Sequence, residues 1–213
     1  MTRTPIADEV AALHAGRPES AFSREQDELA RRDRPDLSAR VGHPFPTAEL
    51  LDPHGAPTSL EAAAGGAPAV VILYRGSWCP YCNVALRVYQ RELVGPLTER
   101  GVRLVAISPQ RPDGSLSMQE KNELDFAVLS DPGNRIAEQL GVVTQPDDDA
   151  RELQLEHGLD VTAANADGTL RLPMPTTAIL DADGVLRWIE VRADYTTRTE
   201  PEEILARLDG LGL

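Results

Sequence analysis

Only two of the 213 residues are cysteine. That is too few for a disulfide framework, and a chain of this size does not need one. No stretch approaches the roughly 18 consecutive apolar residues of a membrane span. The opening MTRTPIADEVAALHAGRPES lacks the apolar core of a secretory signal, so a cytoplasmic protein without membrane contact is expected. Lysine is almost missing: Lys121 is one of 21 basic residues and the others are Arg. Against them stand 34 Asp and Glu, for a formal charge of -13, which leaves no basic face for a nucleic-acid backbone. Histidine is scarce too: His14, His43, His54 and His157 are not paired at ligand spacing. No metal and no cofactor is therefore called for. What is left is an ordinary globular composition, 41% hydrophobic and 26% charged, of a length that fits one sizeable domain.

The two cysteines lie three apart, Cys79 and Cys82, in Tyr74-Arg75-Gly76-Ser77-Trp78-Cys79-Pro80-Tyr81-Cys82-Asn83. A Cys-X-X-Cys beside a strand–helix–strand pattern reads as a redox motif, and the pattern is present. Residues 68–74 form a continuous apolar run bounded by Gly and Pro, as for a strand buried on both faces. Residues 80–100 turn helical, with Gly95-Pro96 expected to bend or break the helix and Gly101 to end it. Residues 102–108 give a second strand, so the pair is parallel with a right-handed crossover.

Elsewhere the pattern is looser. Residues 1–40 read as a polar N-terminal helical extension, with a surface helix over Ser23–Arg32 ended by Pro35. Residues 41–60 read as an irregular entry with at most short strands. Short helices are expected over Ser115–Glu123 and Asn134–Leu140, with a strand at 126–129 between them. An acidic, turn-rich insertion spans about 144–168, with one short helix near Arg151–Glu156. Thr176–Leu180, the turn Asp181–Gly184 and residues 185–191 form a hairpin. A last helix covers Glu200–Leu208, with Thr199 as N-cap and Pro201 in its first turn. The domain proper is thus expected over 41–213, an α/β fold with a central mixed β-sheet flanked by helices.

Pro80 favours the first helical position, which makes Cys79 the N-cap and puts Cys82 in the first turn. Free amides and the positive end of the helix dipole are expected to hold Cys79 as a thiolate below the free-thiol value of about 8.5. Cys82 is expected to be more buried and less ionised. Helical i, i+3 positions lie about 5 Å apart between Cα atoms, inside the roughly 4.4–6.8 Å window of a disulfide. Closing so short a loop adds only about 2 kcal/mol, so the bridge suits making and breaking rather than stapling. Two spectator cysteines, a structural zinc and a Cys–His hydrolase remain as competing readings.

From about residue 41 to 209 the chain resembles the alkyl hydroperoxide reductase C/thiol-specific antioxidant (AhpC/TSA) family of thioredoxin-fold redoxins, in its peroxiredoxin-like branch with a Cys-Pro-Tyr-Cys centre. The Tyr74–Asn83 string carries the likeness, supported by Val105–Gln110, Phe126–Gly133, Pro175–Gly184 and the Val41-Gly42 entry. The resemblance implies a thioredoxin-like fold and a cycle that reduces hydrogen peroxide or an organic hydroperoxide. In it Cys79 attacks the O–O bond and becomes a sulfenic acid, Cys82 condenses with it, and thioredoxin or glutaredoxin/glutathione reduces the disulfide. A homodimer is compatible with it. Trp78, Pro80, Tyr81, Ser77 and Arg75 would surround the thiolate. Met174-Pro175 resembles the cis-proline facing the cysteine pair, with Thr176 beside it. Gly76 stands where the family has a Thr or Ser three residues before the peroxidatic cysteine, and Pro175 where it has an Arg; Arg75 or Arg192 would substitute as the cation. Two other functions fit the same motif: a thiol–disulfide oxidoreductase without peroxidase activity, and a redox switch.

Overall fold

The computed structural model describes residues 4–15, 21–31 and 37–213. In chain order the elements are α1 (Pro5–His14), α2 (Ala21–Ala30), β1 (Leu50–Leu51), β2 (Pro57–Thr58), α3 (Leu60–Ala64), β3 (Ala69–Leu73), α4 (Pro80–Glu92) and α5 (Val94–Glu99). Next come β4 (Arg103–Ser108), α6 (Pro112–Lys121), β5 (Ala127–Ser130), α7 (Arg135–Leu140) and β6 (Val143–Thr144). The chain closes with α8 (Asp148–Glu156), α9 (Val161–Ala164), β7 (Leu172–Pro173), β8 (Thr176–Leu180), β9 (Leu186–Val191) and α10 (Pro201–Leu211).

Seven strands form one mixed sheet in the order β2-β1-β5-β4-β3-β8-β9. β3 runs parallel to β4 and β4 to β5, while β8 lies antiparallel to β3 and β9 to β8. The α/β architecture expected from the sequence is present, including the parallel crossover through α4. The apolar runs are continuous because both faces of the sheet are covered. Val70, Ile72, Leu104, Ala106, Val128 and Ile179 face α4 and α10, where they meet Val84, Leu86, Val88, Ile204 and Leu208. Their alternates Val71, Leu73, Val105, Ile107, Leu129 and Ala178 face α3 and α7, against Leu60, Ile136 and Leu140.

Several boundaries differ from expectation for local reasons. The helix after Cys82 breaks at Leu93, not at Gly95-Pro96. Pro96 then falls in the first turn of α5, where a missing N–H costs no helical bond. α10 begins from Glu200 rather than Thr199 as N-cap. Thr199 is occupied otherwise: its hydroxyl donates to Glu190 Oε2 (2.7 Å) and its carbonyl accepts from the Tyr89 hydroxyl (2.7 Å). The acidic stretch holds two helices, α8 and α9, each with an Asp side chain capping its N-terminus, Asp147 and Asp160.

The largest departure is at the N-terminus. The expected helix from Ser23 is α2, which starts at Ala21; Arg32 and Pro35, at its expected end, lie outside the described residues. A second helix, α1, precedes it, and neither is a surface appendage. Ile6, Val10 and Leu29 are buried in the same cluster as the cysteines. Glu200 ties α1 down by accepting from the backbone N–H of Ile6 (3.1 Å) and Ala7 (2.9 Å). Because Ile6 is 1% exposed, Ile6→Ala should lower unfolding free energy by about 2–4 kcal/mol. Urea unfolding followed by circular dichroism measures this; a loss below about 0.5 kcal/mol would mean α1 is a loosely held tail.

Candidate active site

β3 ends at Leu73, and the chain leaves the sheet through Tyr74, whose N–H still bonds the Ile107 carbonyl (3.0 Å). Residues 75–79 then turn into α4. Gln110, buried just beyond β4, holds this turn from one side. Its Oε1 accepts from the Ser77 N–H (2.7 Å) and its Nε2 donates to the Tyr74 hydroxyl (2.8 Å). Asn83 holds it from the other, donating to the carbonyls of Ser77 and Cys79 (both 2.8 Å) and accepting from Asn122 (3.0 Å). Gly76 is needed inside the turn: a methyl group there would lie 2.5 Å from Trp78 Nε1 at a φ of +153°. The Trp78 ring occupies the space a side chain would take.

Cys79 is the N-cap of α4 with Pro80 following, as expected, but its sulfur accepts no capping hydrogen bond. Both cysteines are free thiols, and both are buried, at 1% and 0% exposure. Their side chains hydrogen-bond each other. Burial and the adjoining Cys82 sulfur push the Cys79 thiol up, and Arg75 and Arg198 only partly offset this. At Cys82 burial also opposes charge. The hydrogen bond from Cys79, the Arg198 charge, and the backbone and charge of Arg75 outweigh it and hold the Cys82 thiol well below its ordinary value. The expectation of a lowered Cys79 and a less ionised Cys82 is therefore reversed. The helix terminus is a weaker field than a guanidinium in direct contact.

That guanidinium belongs to Arg198, which sequence reasoning missed. Its Nη2 lies 3.0 Å from Cys82 Sγ, and its Nη1 donates to the carbonyls of Tyr195 (2.7 Å) and Thr197 (2.6 Å). Arg198 is 7% exposed, and among the described residues no carboxylate pairs with it. One Arg among twenty in an irregular segment before the last helix carries no local signal. Arg75, a cation singled out from the sequence, lies near enough to act on both sulfurs. It is buried, with its guanidinium 3.9 Å over the Tyr195 ring and 5.2 Å from that of Trp78. Arg192 does not join them; it pairs with Glu190 (2.7 Å) and Glu203 (3.5 Å).

The N-terminal helices cover this centre. The Tyr81 hydroxyl meets His14 Nε2 (2.9 Å) and Gln26 Nε2 (3.2 Å), and the Tyr195 hydroxyl donates to Glu25 Oε2 (2.8 Å). Glu25 is buried, and desolvation raises its carboxyl despite the Tyr195 hydrogen bond and Arg75. Behind α2 stands α8 of the acidic stretch, so that segment braces the cover rather than forming it. Pro80 is exposed and Ser77 partly so. Pro175 and Thr176 lie at the same end of the sheet, where Thr176 pairs with Leu73. The Met174–Pro175 bond is trans, against the expectation of a cis-proline. The Met174 N–H bonds the Val142 carbonyl (2.8 Å), continuing the extended β6–β7 ribbon up to Pro175. Thr176 Oγ1 donates back to the Met174 carbonyl (2.9 Å).

A model of the AhpC/TSA family matches residues 41–189. Among curated proteins, the chain is 27% identical over 158 residues to the chloroplastic peroxiredoxin Q of Sedum lineare, covering 74% of this chain and 69% of that one. To the peroxiredoxin Q of Populus jackii it is 28% identical over 162 residues, covering 76% and 62%. The chain thus spans about two thirds of the length of these relatives. Among solved structures, peroxidoxin BcpB from Mycobacterium tuberculosis superposes with a TM-score of 0.61 at 20% identity, covering 81% of this chain and 97% of that one. That likeness concerns the thioredoxin-like fold.

Because only hydrogen fits at residue 76, Gly76→Ala should displace the Trp78 indole. The expected result is a cost of about 1–3 kcal/mol, a changed Trp fluorescence spectrum and an unchanged far-ultraviolet circular dichroism. A wild-type spectrum and midpoint would show that the turn has room to spare.

Proposed function

Since the chain belongs to the AhpC/TSA family, we propose that it is a thiol peroxidase. It would reduce hydrogen peroxide or an organic hydroperoxide through a sulfenic acid and a Cys79–Cys82 disulfide, with a thioredoxin-type donor or glutathione returning the thiols. The observation that carries this reading is a sulfur pair in mutual hydrogen bond, shut off from water, with a guanidinium on one sulfur that meets no carboxylate among the described residues.

The chemistry follows from that arrangement. A thiolate, not a thiol, attacks the O–O bond. The charge moves from sulfur to the departing oxygen as the bond breaks, and a fixed cation in a dry site stabilises it there without reorganising. Among the described residues, Arg75 Nε and Trp78 Nε1 are buried donors without a hydrogen-bond partner, which would suit peroxide oxygens entering beside the turn before Cys79. Burial also bears on the substrate. A protein disulfide must bring a sulfur in line with the attacking one, and 1% and 0% exposure admits a peroxide more readily. Return of electrons from a donor protein requires the cover of Tyr81, Tyr195 and the N-terminal helices to open.

Stopped-flow Trp fluorescence on anaerobically reduced protein with stoichiometric hydrogen peroxide tests the reading. Oxidation should exceed that of a free thiol at the same pH by at least about 10²-fold and end in one intramolecular disulfide. A rate no better than free thiol, with rapid exchange against oxidised glutathione, would favour the thiol–disulfide oxidoreductase. The depressed thiol also sets a pH dependence. Below pH 8 a free thiol loses about tenfold in rate per unit, whereas this rate should stay level below the free-thiol value and fall only as pH drops through the lowered one.

A further inference from the structure

The two sulfurs are equally buried, so access does not tell them apart; charge does. Arg198 is a buried cation whose contacts are two carbonyls and Cys82 Sγ. Nearby carboxylates are engaged elsewhere, Glu190 with Arg192 and Thr199, and Glu200 with the first amides of α1. A guanidinium held in a dry interior needs an anion. Among the described residues the group in contact that can supply one is Cys82. Cys79 feels the charges of Arg75 and Arg198, but among the described residues the guanidinium hydrogen bond goes to Cys82. The partner of Cys79 is Cys82 itself, and its side chain accepts no capping hydrogen bond.

We propose that Cys82, not Cys79, is the sulfur that attacks the peroxide, with Arg198 as its counter-ion and Cys79 as proton donor and then resolving thiol. This rests on the peroxidase reading above. In the first step the Cys82 thiolate bonds the near peroxide oxygen as the O–O bond breaks. The departing alkoxide or hydroxide takes the proton held on Cys79. Cys82 is then a sulfenic acid and Cys79 a thiolate. In the second step Cys79 attacks the Cys82 sulfur, forming the disulfide and releasing hydroxide, which solvent protonates. Two electrons leave the thiol pair and reduce one peroxide to an alcohol, or water, and water. On this assignment the residue three places before the attacking sulfur is Cys79 rather than Gly76. The missing Thr or Ser is then a cysteine, which donates the same kind of hydrogen bond and can also close the disulfide.

The experiment compares the full-length wild type, Cys79→Ser and Cys82→Ser, each reduced anaerobically. Ultraviolet thiolate absorbance against pH gives a readout that needs no peroxide. Cys79→Ser should keep a thiolate well below the free-thiol value of about 8.5, and Cys82→Ser should lose it. With stoichiometric hydrogen peroxide and a sulfenic-acid trap, peptide mass spectrometry should find the adduct on Cys82 in Cys79→Ser. Cys82→Ser should react as slowly as a free thiol. The opposite pattern, a low-pH thiolate and trapped adduct at Cys79, overturns the assignment while leaving the peroxidase intact. A wild type no faster than free thiol overturns the peroxidase, and the attack role with it. Arg198→Lys provides an arm that keeps both sulfurs: the absorbance midpoint should rise and the oxidation rate fall roughly 10²-fold. A midpoint that does not move removes Arg198 as the counter-ion.

Discussion

Everything at the site is organised around a guanidinium that has been taken out of water. Arg198 is buried, and its compensation among the described residues comes from two backbone carbonyls and a sulfur. Desolvating that charge without an anion would cost several kcal/mol, and the sulfur in contact with it, Cys82, is the one whose ionised form this cation favours. The fold supplies the means. Tyr89 on α4 donates to the Thr199 carbonyl, locking the Arg198 segment against the helix that carries Cys82. Gln110 and Asn83 fix the turn before that helix. Each of these groups is buried and holds its partner at hydrogen-bond distance, so the sulfur and the guanidinium meet without searching.

The second organising feature is the cover. α1 and α2 contribute apolar residues to the core cluster that contains the cysteines, and polar ones to the hydroxyls of Tyr81 and Tyr195. A dry site strengthens the Arg198–Cys82 interaction, and it also closes the sulfurs to a protein-sized reductant. One arrangement therefore serves the oxidising half of a cycle and must give way in the reducing half. The cover is held both by apolar burial of Ile6, Val10 and Leu29 and by the polar contacts to Tyr81 and Tyr195, so opening it must expose part of that apolar surface to water.

The strand–helix–strand unit around the cysteines was legible because local chemistry decides it. Buried strands read as apolar runs, Pro80 starts a helix, and a spacing of three puts two sulfurs on adjacent turns. Elements at the margins were placed less well. α1 was unmarked, since Pro5–His14 is short and its burial depends on Glu200, nearly two hundred residues away. The Met174–Pro175 bond is trans and the Met174 N–H bonds the Val142 carbonyl, a pairing between distant segments that no local pattern reports.

By itself the sequence determined that two cysteines sit where a strand hands over to a helix, in a mixed α/β fold, with spacing that permits a reversible disulfide. It did so because helix starts, strand burial and i, i+3 geometry are short-range properties. Only the tertiary structure decided which sulfur meets a buried guanidinium. That depends on where Arg198 comes to rest, 116 residues beyond Cys82, a placement no local pattern around the cysteines reports. Electrostatics in a low-dielectric interior is set by neighbours in space, and those neighbours are chosen by the packing of the whole chain.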